Sequence, residues 1–287
     1  VAITVKKPYV VQSVSDFVEH VMGWTRNGMR PVAFRGERYT SWETQPKVFR
    51  PDVGLYEHEK NAVRDLISIH PQEFREDETM FDRLVRMQHF ELPTRLLDVT
   101  TNPLVALYFA TAEHKVDGDL GDGKVQALFL PEERQRYFDS DRVSCMANLA
   151  NLTANEKREM AKAYKLEKRE FNKQPVVERL IWFVRIEKPH FEPQIDPRHL
   201  RQHVFVKPKM SNRRIIAQSG AFLVYGARRS NTQIDTDLRV SRAIVPADRK
   251  AELRNQLERL GIHDSSLFPE IDKAAGFVAN RYKNGGA

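Results

Sequence analysis

Arg35 follows a short apolar run, Pro31-Val-Ala-Phe34, and stands directly before Gly36. A guanidinium at a strand end offers a planar fork to phosphate or carboxylate, and a glycine beside it lets backbone or ligand approach closely. A second group of polar residues is denser. Between Gln88 and Ala110, the side chains of His89, Thr94, Arg95, Asp98, Thr100 and Thr101 alternate with strongly apolar ones, just ahead of a helix start that attracts anions. A third group lies in Arg213-Arg214-Ile-Ile-Ala-Gln218-Ser219-Gly220-Ala-Phe222, where Gln218 interrupts what reads as an apolar strand and suggests a bulge or a close ligand. Plainer readings stand beside these: Arg35 in an internal salt bridge, Arg95 paired with Asp98 to lock a loop, Gln218 facing solvent. His199 and His203 are four apart but have no third ligand in the pattern, so no metal is expected. Cys145 reads as a buried small side chain, and neither a P-loop nor a G-x-G-x-x-G or G-x-S-x-G motif occurs.

The elements that must hold these groups follow from apolar spacing. Helices are predicted over Ser13–Trp24, Tyr56–Ile69, Thr79–Phe90, Leu104–His114 and Ala247–Leu260, with another after Pro269. Asn102 and Pro103 suit the start of the fourth. Strands are predicted over Pro31–Phe34, Val125–Leu130, Leu180–Ile186, Ile215–Tyr225 and Leu238–Ile244, and Leu92–Thr101 reads as mixed loop and strand. Seven Lys or Arg and four Glu crowd Glu156–Lys173, so 151–173 reads as a basic, at least partly exposed helical insertion. Helices dominate the first 115 residues, strands grow denser after 120, and no linker is visible. The reading is one α+β domain over residues 1–287, with N-terminal helices packed on a mixed or antiparallel sheet.

The chain has 287 residues, 41% apolar and 30% charged, which is enough for a full core and excludes global disorder. Its net charge of +7, from 46 basic and 39 acidic residues, favours phosphate-bearing partners: nucleotides, nucleic acid or acidic surfaces. No run approaches the ~18 apolar residues of a membrane helix. With no leader-like start and one cysteine, the expectation is a cytoplasmic protein without disulfides or membrane partner. Nothing assigns an oligomeric state.

Together the motifs resemble the FRG domain family. They are Phe34-Arg35-Gly36, Trp42, Pro46-Lys-Val-Phe-Arg50, and the run Gln88-His89-x-x-x-Pro-Thr-Arg-Leu-Leu-Asp98 continuing through Asn-Pro to Ala-Leu-Tyr-Phe-Ala110. Arg214-x-x-Ala-Gln218-x-Gly220-x-Phe222, Leu-x-x-Leu-Gly-Ile262 and Ser-Leu-Phe-Pro269 complete the pattern, so the likeness spans about 13–280. Val99 stands where the family usually has Trp, and Phe90-Glu91 where Tyr-Gly is common; these departures are expected to change packing more than chemistry. More remotely, the order of features resembles the arginine-serine-glutamate ADP-ribosyltransferases. That resemblance implies an ADP-ribosyltransferase-like fold, an NAD ligand and a role for each motif. Arg35, with Gly36 and Arg95, would hold phosphate or ribose, and Thr100 or Thr101 would orient Arg35. Asp98 or Gln218 would face the reacting ribose, with His89 orienting the ligand or moving a proton. Gln218 stands where the superfamily has Glu and carries no charge, so Asp98 or Glu57 would have to supply it. Three readings stay open: an NAD-using transferase or glycohydrolase, a non-catalytic nucleotide or nucleic-acid binding module, and a protein-interaction domain.

Overall fold

Caps place several helices where the sequence puts them. Ser13 Oγ accepts the Asp16 N–H at 3.1 Å and opens a helix that buries Val14, Phe17 and Val21. Thr79 and Asp82 form a reciprocal capping box at the start of another. The computed structural model describes residues 8–227 and 238–269. Its helices in chain order are α1 (Val14–Met22), α2 (Glu59–Ile69), α3 (Met80–His89), α4 (Pro103–Ala110), α5 (Asp141–Asn148), α6 (Ala154–Ala163), α7 (Lys168–Phe171), α8 (Pro175–Glu187), α9 (Pro197–Arg201), α10 (Arg213–Ala217), α11 (Lys250–Arg259) and α12 (Asp264–Leu267). Its strands are β1 (Tyr9–Val10), β2 (Ala33–Glu37), β3 (Leu96–Thr100), β4 (Lys115–Val116), β5 (Asp119–Leu120), β6 (Gly123–Phe129), β7 (Gln135–Tyr137), β8 (Val204–Lys207), β9 (Gly220–Val224) and β10 (Arg239–Val245).

The chain is α+β, and its main sheet is mixed, with eight strands among the described residues in the order β1-β10-β6-β2-β3-β9-β8-β7. The outer pairs β1–β10 and β7–β8 are parallel, and the inner pairs are antiparallel. Three expectations need correction. Leu180–Ile186 is helix, inside α8: Val176, Val177, Leu180, Ile181 and Val184 are buried at helical spacing while Trp182 and Ile186 are exposed, and Pro175 starts it. Ile215–Tyr225 is two elements, the helix α10 and the strand β9, divided at Gln218 and Ser219. Helices also do not gather in the N-terminal part, because α5–α9 fill residues 141–201. Within the basic stretch 151–173, Lys157, Met160, Ala163 and Phe171 are buried, so α6 and α7 contribute to the main core. The helix expected after Pro269 lies outside the described residues.

Side chains alternate across the sheet and divide the core. On one face, α1, α4 and α11 cover the half made by β2, β6 and β10, through residues such as Phe17, Phe34, Leu107, Val125 and Leu253. On the same face, α3, α5 and α8 cover the other half through Leu84, Leu96, Met146, Leu180, Val204 and Phe222. The opposite face carries Ala33, Leu97, Val99, Leu128 and Leu223 under Val48, Phe49 and Tyr225. Among the described residues, no helix is long and apolar enough to cross a membrane.

The two helical halves meet over the centre of the sheet, where pairing is weakest. β2 and β3 share one residue pair, Phe34 with Thr100, whereas β2 runs in full register with β6. Next to this point Gly36 packs against α4: a Cβ added there would lie 1.8 Å from Ala106 O. Gly36→Ala therefore must push α4 off the sheet, and a loss of about 1–3 kcal/mol is expected from overpacking. Thermal melts check this against Gly23→Ala, whose Cβ would sit 3.4 Å from its nearest neighbour and whose stability should hardly change.

Candidate functional site

A cleft of about 280 Å³ opens where β2 and β3 part, between the two helical halves. Its floor is Phe34, Gly36, Asp98, Thr100, Gly220 and Phe222, which cross-strand pairing places on one face of the sheet. Its walls come from the end of α3 (Gln88, His89), from Phe109 of α4 and from α10 with the turn after it (Arg214, Ile215, Gln218). Five expected site residues besides Gly36 thus converge: Arg35, His89, Asp98, Thr100 and Gln218 all line this cleft.

Arg35 points to the far face of β2 but is turned into the gap. Its Nη1 donates to Asp98 O at 2.6 Å and its Nε to Glu37 Oε1 at 2.9 Å. The guanidinium thereby gives the Asp98 carbonyl a donor just where the strand ladder has stopped. Glu37, almost fully buried, also meets Lys124 at 3.0 Å across the β2–β6 pair. Burial pushes the Glu37 carboxyl up, but the charge and hydrogen bond of Arg35, with Lys124 behind them, outweigh it and hold Glu37 below the ordinary carboxylate range. Arg35 is therefore oriented by Glu37 and the Asp98 carbonyl rather than by a threonine. Thr100 Oγ1 instead donates to Gln218 O at 2.7 Å, tying β3 to the end of α10.

Gln88 positions the one carboxylate that the sequence reading placed here. Its Nε2 donates to Asp98 Oδ2 at 2.9 Å while its Oε1 accepts from Thr94 Oγ1 at 2.7 Å. Asp98 is otherwise exposed to the cleft. His89 Nδ1 accepts from Asn212 Nδ2 at 3.0 Å, and Asn212 also caps α10. Gln218 does not interrupt a strand. It ends α10, and its Nε2 donates to Leu267 O at 3.0 Å, so its amide is held toward α12.

Two expected binders are placed elsewhere, and so is one alternative acid. Arg95 is fully buried and donates to Glu59 through Nε at 2.9 Å and Nη2 at 2.5 Å, and through Nη1 to Gly226 O at 2.7 Å. Lys157 closes this network with a 2.8 Å contact to Glu59 Oε2. Arg95 pairs with Glu59 because Arg95, just before β3, and Leu97 within it face the other side of the sheet from Asp98. Thr101 lies past the end of β3, exposed, with its hydroxyl and N–H on Ser219 O. Glu57 is exposed and paired with Arg158.

Lys47, Glu91 and Arg214 line the cleft without having been assigned a role by the sequence. Glu91 has φ of +67°, a conformation that suits glycine, and it is where the motif commonly carries glycine. Glu91 thus adds a carboxylate to the cleft lining. Glu37 was also missed, although the spacing Arg35-Gly-Glu37 on a strand puts both charges on one face.

The family model of the FRG domain matches residues 30–118. That stretch holds β2, α3, β3 and α4, hence Arg35, Gln88, His89, Asp98 and Thr100, while the α10–β9 wall lies beyond it. Searches of curated proteins and of solved structures return no match.

Proposed function

We propose that this is an ADP-ribosyltransferase-like protein whose Arg35 cleft binds NAD or a related nucleotide, and that it transfers ADP-ribose or hydrolyses NAD. One observation carries the reading. Segments at 34–36, 88–100 and 214–222 meet in a cleft that combines the cations Arg35, Lys47 and Arg214 with the carboxylates Asp98 and Glu91. Guanidinium and ammonium suit phosphates, and a carboxylate nearby suits ribose hydroxyls or a carbon that gains positive charge. At about 280 Å³ the cleft is just below the range of about 300–1,000 Å³ for ligand pockets, so it takes one nucleoside end and its phosphate, with the remainder outside.

The bound ligand supplies a ribose from which nicotinamide departs with its bonding pair. Arg35, Lys47 and Arg214 hold the phosphates. Asp98, fixed by Gln88, is the negative charge beside the ribose, because the Gln218 amide is neutral and already engaged by Leu267. His89, steadied by Asn212, takes the proton of the incoming hydroxyl or water. The alternative, a nucleotide or nucleic-acid binding module without turnover, draws its support from that same neutral Gln218.

The test is NAD binding and nicotinamide release by the wild type, Asp98→Asn and Gln218→Glu. Asp98→Asn should bind NAD and release nicotinamide on the order of tenfold more slowly or worse, having lost the charge that favours the transition state. Gln218→Glu cannot donate to Leu267 O and should melt lower, by about 1–3 kcal/mol for the unsatisfied pair. Failure of the wild type to bind NAD would sink the proposal. Binding with no release by any variant would leave the module.

A further inference from the structure

A second cavity, of about 770 Å³, shares no lining residue with the first. It lies where the chain leaves β6 and crosses to β7, against the start of α5, α9 and the first residue of β10. Its character is set by charge. Arg134, Arg136, Arg142, Arg198, Arg239 and His199 all line it. Among the described residues two carboxylates answer them: Glu133 lines the cavity, and Asp196 holds Arg198 through a bidentate contact at 2.7–3.2 Å.

Several of these guanidiniums are built in. Arg134 Nε donates to His203 O at 2.8 Å from a buried position. Arg142 Nη2 donates to Gln202 Oε1 at 2.8 Å and to His199 O at 3.3 Å, which ties α5 to α9. Its Nε is buried and makes no hydrogen bond among the described residues. Burial, then the neighbouring charges of Arg134 and Arg136, push Arg142 down to about 10. Among the described residues, Arg136 Nη1 reaches only main-chain carbonyls, Gln135 O at 2.8 Å and Glu132 O at 3.3 Å. Such a group of forks is relieved by an anion with several oxygens, and guanidinium matches phosphate best. Among the described residues, the cavity is lined by no Phe, Tyr or Trp, the side chains on which bases best stack.

We propose that this cavity is a second ligand site that binds a chain of phosphate groups, the chemistry shared by oligophosphates and the nucleic-acid backbone, and reads phosphate rather than base. It lies outside the NAD reading and does not depend on it.

The experiment is titration of the full chain with inorganic tripolyphosphate and with a short fluorescent thymidine oligonucleotide, at low and high salt. The wild type should bind at least one of them, with affinity falling steeply as salt rises. Arg136→Ala combined with Arg239→Ala should weaken binding on the order of tenfold or more, which is 1.4 kcal/mol per decade. The corresponding double lysine variant should recover part of it, and Lys162→Ala, which removes an exposed cation outside both cavities, should bind as the wild type does. Tighter binding of the oligonucleotide identifies the backbone as the source, and tighter binding of tripolyphosphate identifies an oligophosphate. Arg198→Ala, at a side chain 81% exposed, repeats the test without risk to the fold. The proposal is overturned if neither probe binds the wild type, if the alanine variants at the cavity bind unchanged, or if Lys162→Ala loses as much binding as they do.

Discussion

Glu59→Gln should destabilise the protein by about 3–5 kcal/mol, the cost of breaking a buried ion pair from one side. The loss is large because Glu59 answers two cations, Arg95 and Lys157, and all three are at most 6% exposed. Without the carboxylate both positive charges remain in the core, close together and unanswered. For a chain of this size the melting temperature should fall by on the order of 10 °C. Glu57→Gln, at the exposed neighbouring pair with Arg158, should cost next to nothing and serves as the control. Acid should mimic the mutation. Burial raises the Glu59 carboxyl, yet the charges of Arg95 and Lys157 outweigh it and hold it below its ordinary value of 4.5. A group whose folded value is depressed stabilises the fold above that ordinary value, and its contribution drains away as pH falls through the folded one. Wild-type stability should therefore decline below about pH 4.5 more steeply than that of Glu59→Gln. Equal slopes in urea melts over pH 3–7 would remove Glu59 from that role.

The Arg95 network also marks where reading the chain in one dimension stops. Arg95 and Asp98 look like partners at three residues' separation, but odd spacing on a strand sends them to opposite faces. The true partner, Glu59, is 36 residues earlier, and nothing local in α2 distinguishes it from the exposed acids around it. By contrast, the convergence of Arg35, His89, Asp98, Thr100 and Gln218 on one cleft was legible because each is a polar outlier in an apolar setting. Burial without a partner would be costly there, so the pattern itself points to convergence. Secondary structure followed the same logic. Helices with a cap and a clear apolar face, such as α1 and α3, were readable. The core of α8 was not, because Leu180–Ile186 is a short β-branched and aromatic run that helix and strand share. The division at Gln218 was hidden for a related reason: a five-residue helix capped by Asn212 is too short to show a period. The arginine cavity was hidden because its cations come from three separated stretches, 134–142, 198–199 and 239, which the fold brings together.

Arg35→Ala should weaken nucleotide binding by about 2–5 kcal/mol, the usual loss when one member of a desolvated charge pair is removed. A phosphate fork and a structural salt bridge look like rival descriptions of this residue, and its geometry joins them. Nε and Nη1 are spent on Glu37 and on Asp98 O, holding β2 to β3 where their ladder ends. The far edge of the guanidinium is what remains for a ligand. Arg35→Ala should then also melt lower, because Glu37 keeps only Lys124 as a charged partner and Asp98 O loses its donor. A fall in binding alone is thus ambiguous, and Arg35→Lys separates the two effects. An ammonium can still neutralise Glu37, so most of the stability should return. It cannot span Glu37 and Asp98 O and also present a fork, so affinity should recover only in part. Titration with NAD and with ADP, beside thermal melts of all three proteins, reads both quantities. If Arg35→Ala binds either nucleotide as tightly as the wild type, Arg35 only pins the split in the sheet, and the cleft's phosphate contacts fall to Lys47 and Arg214.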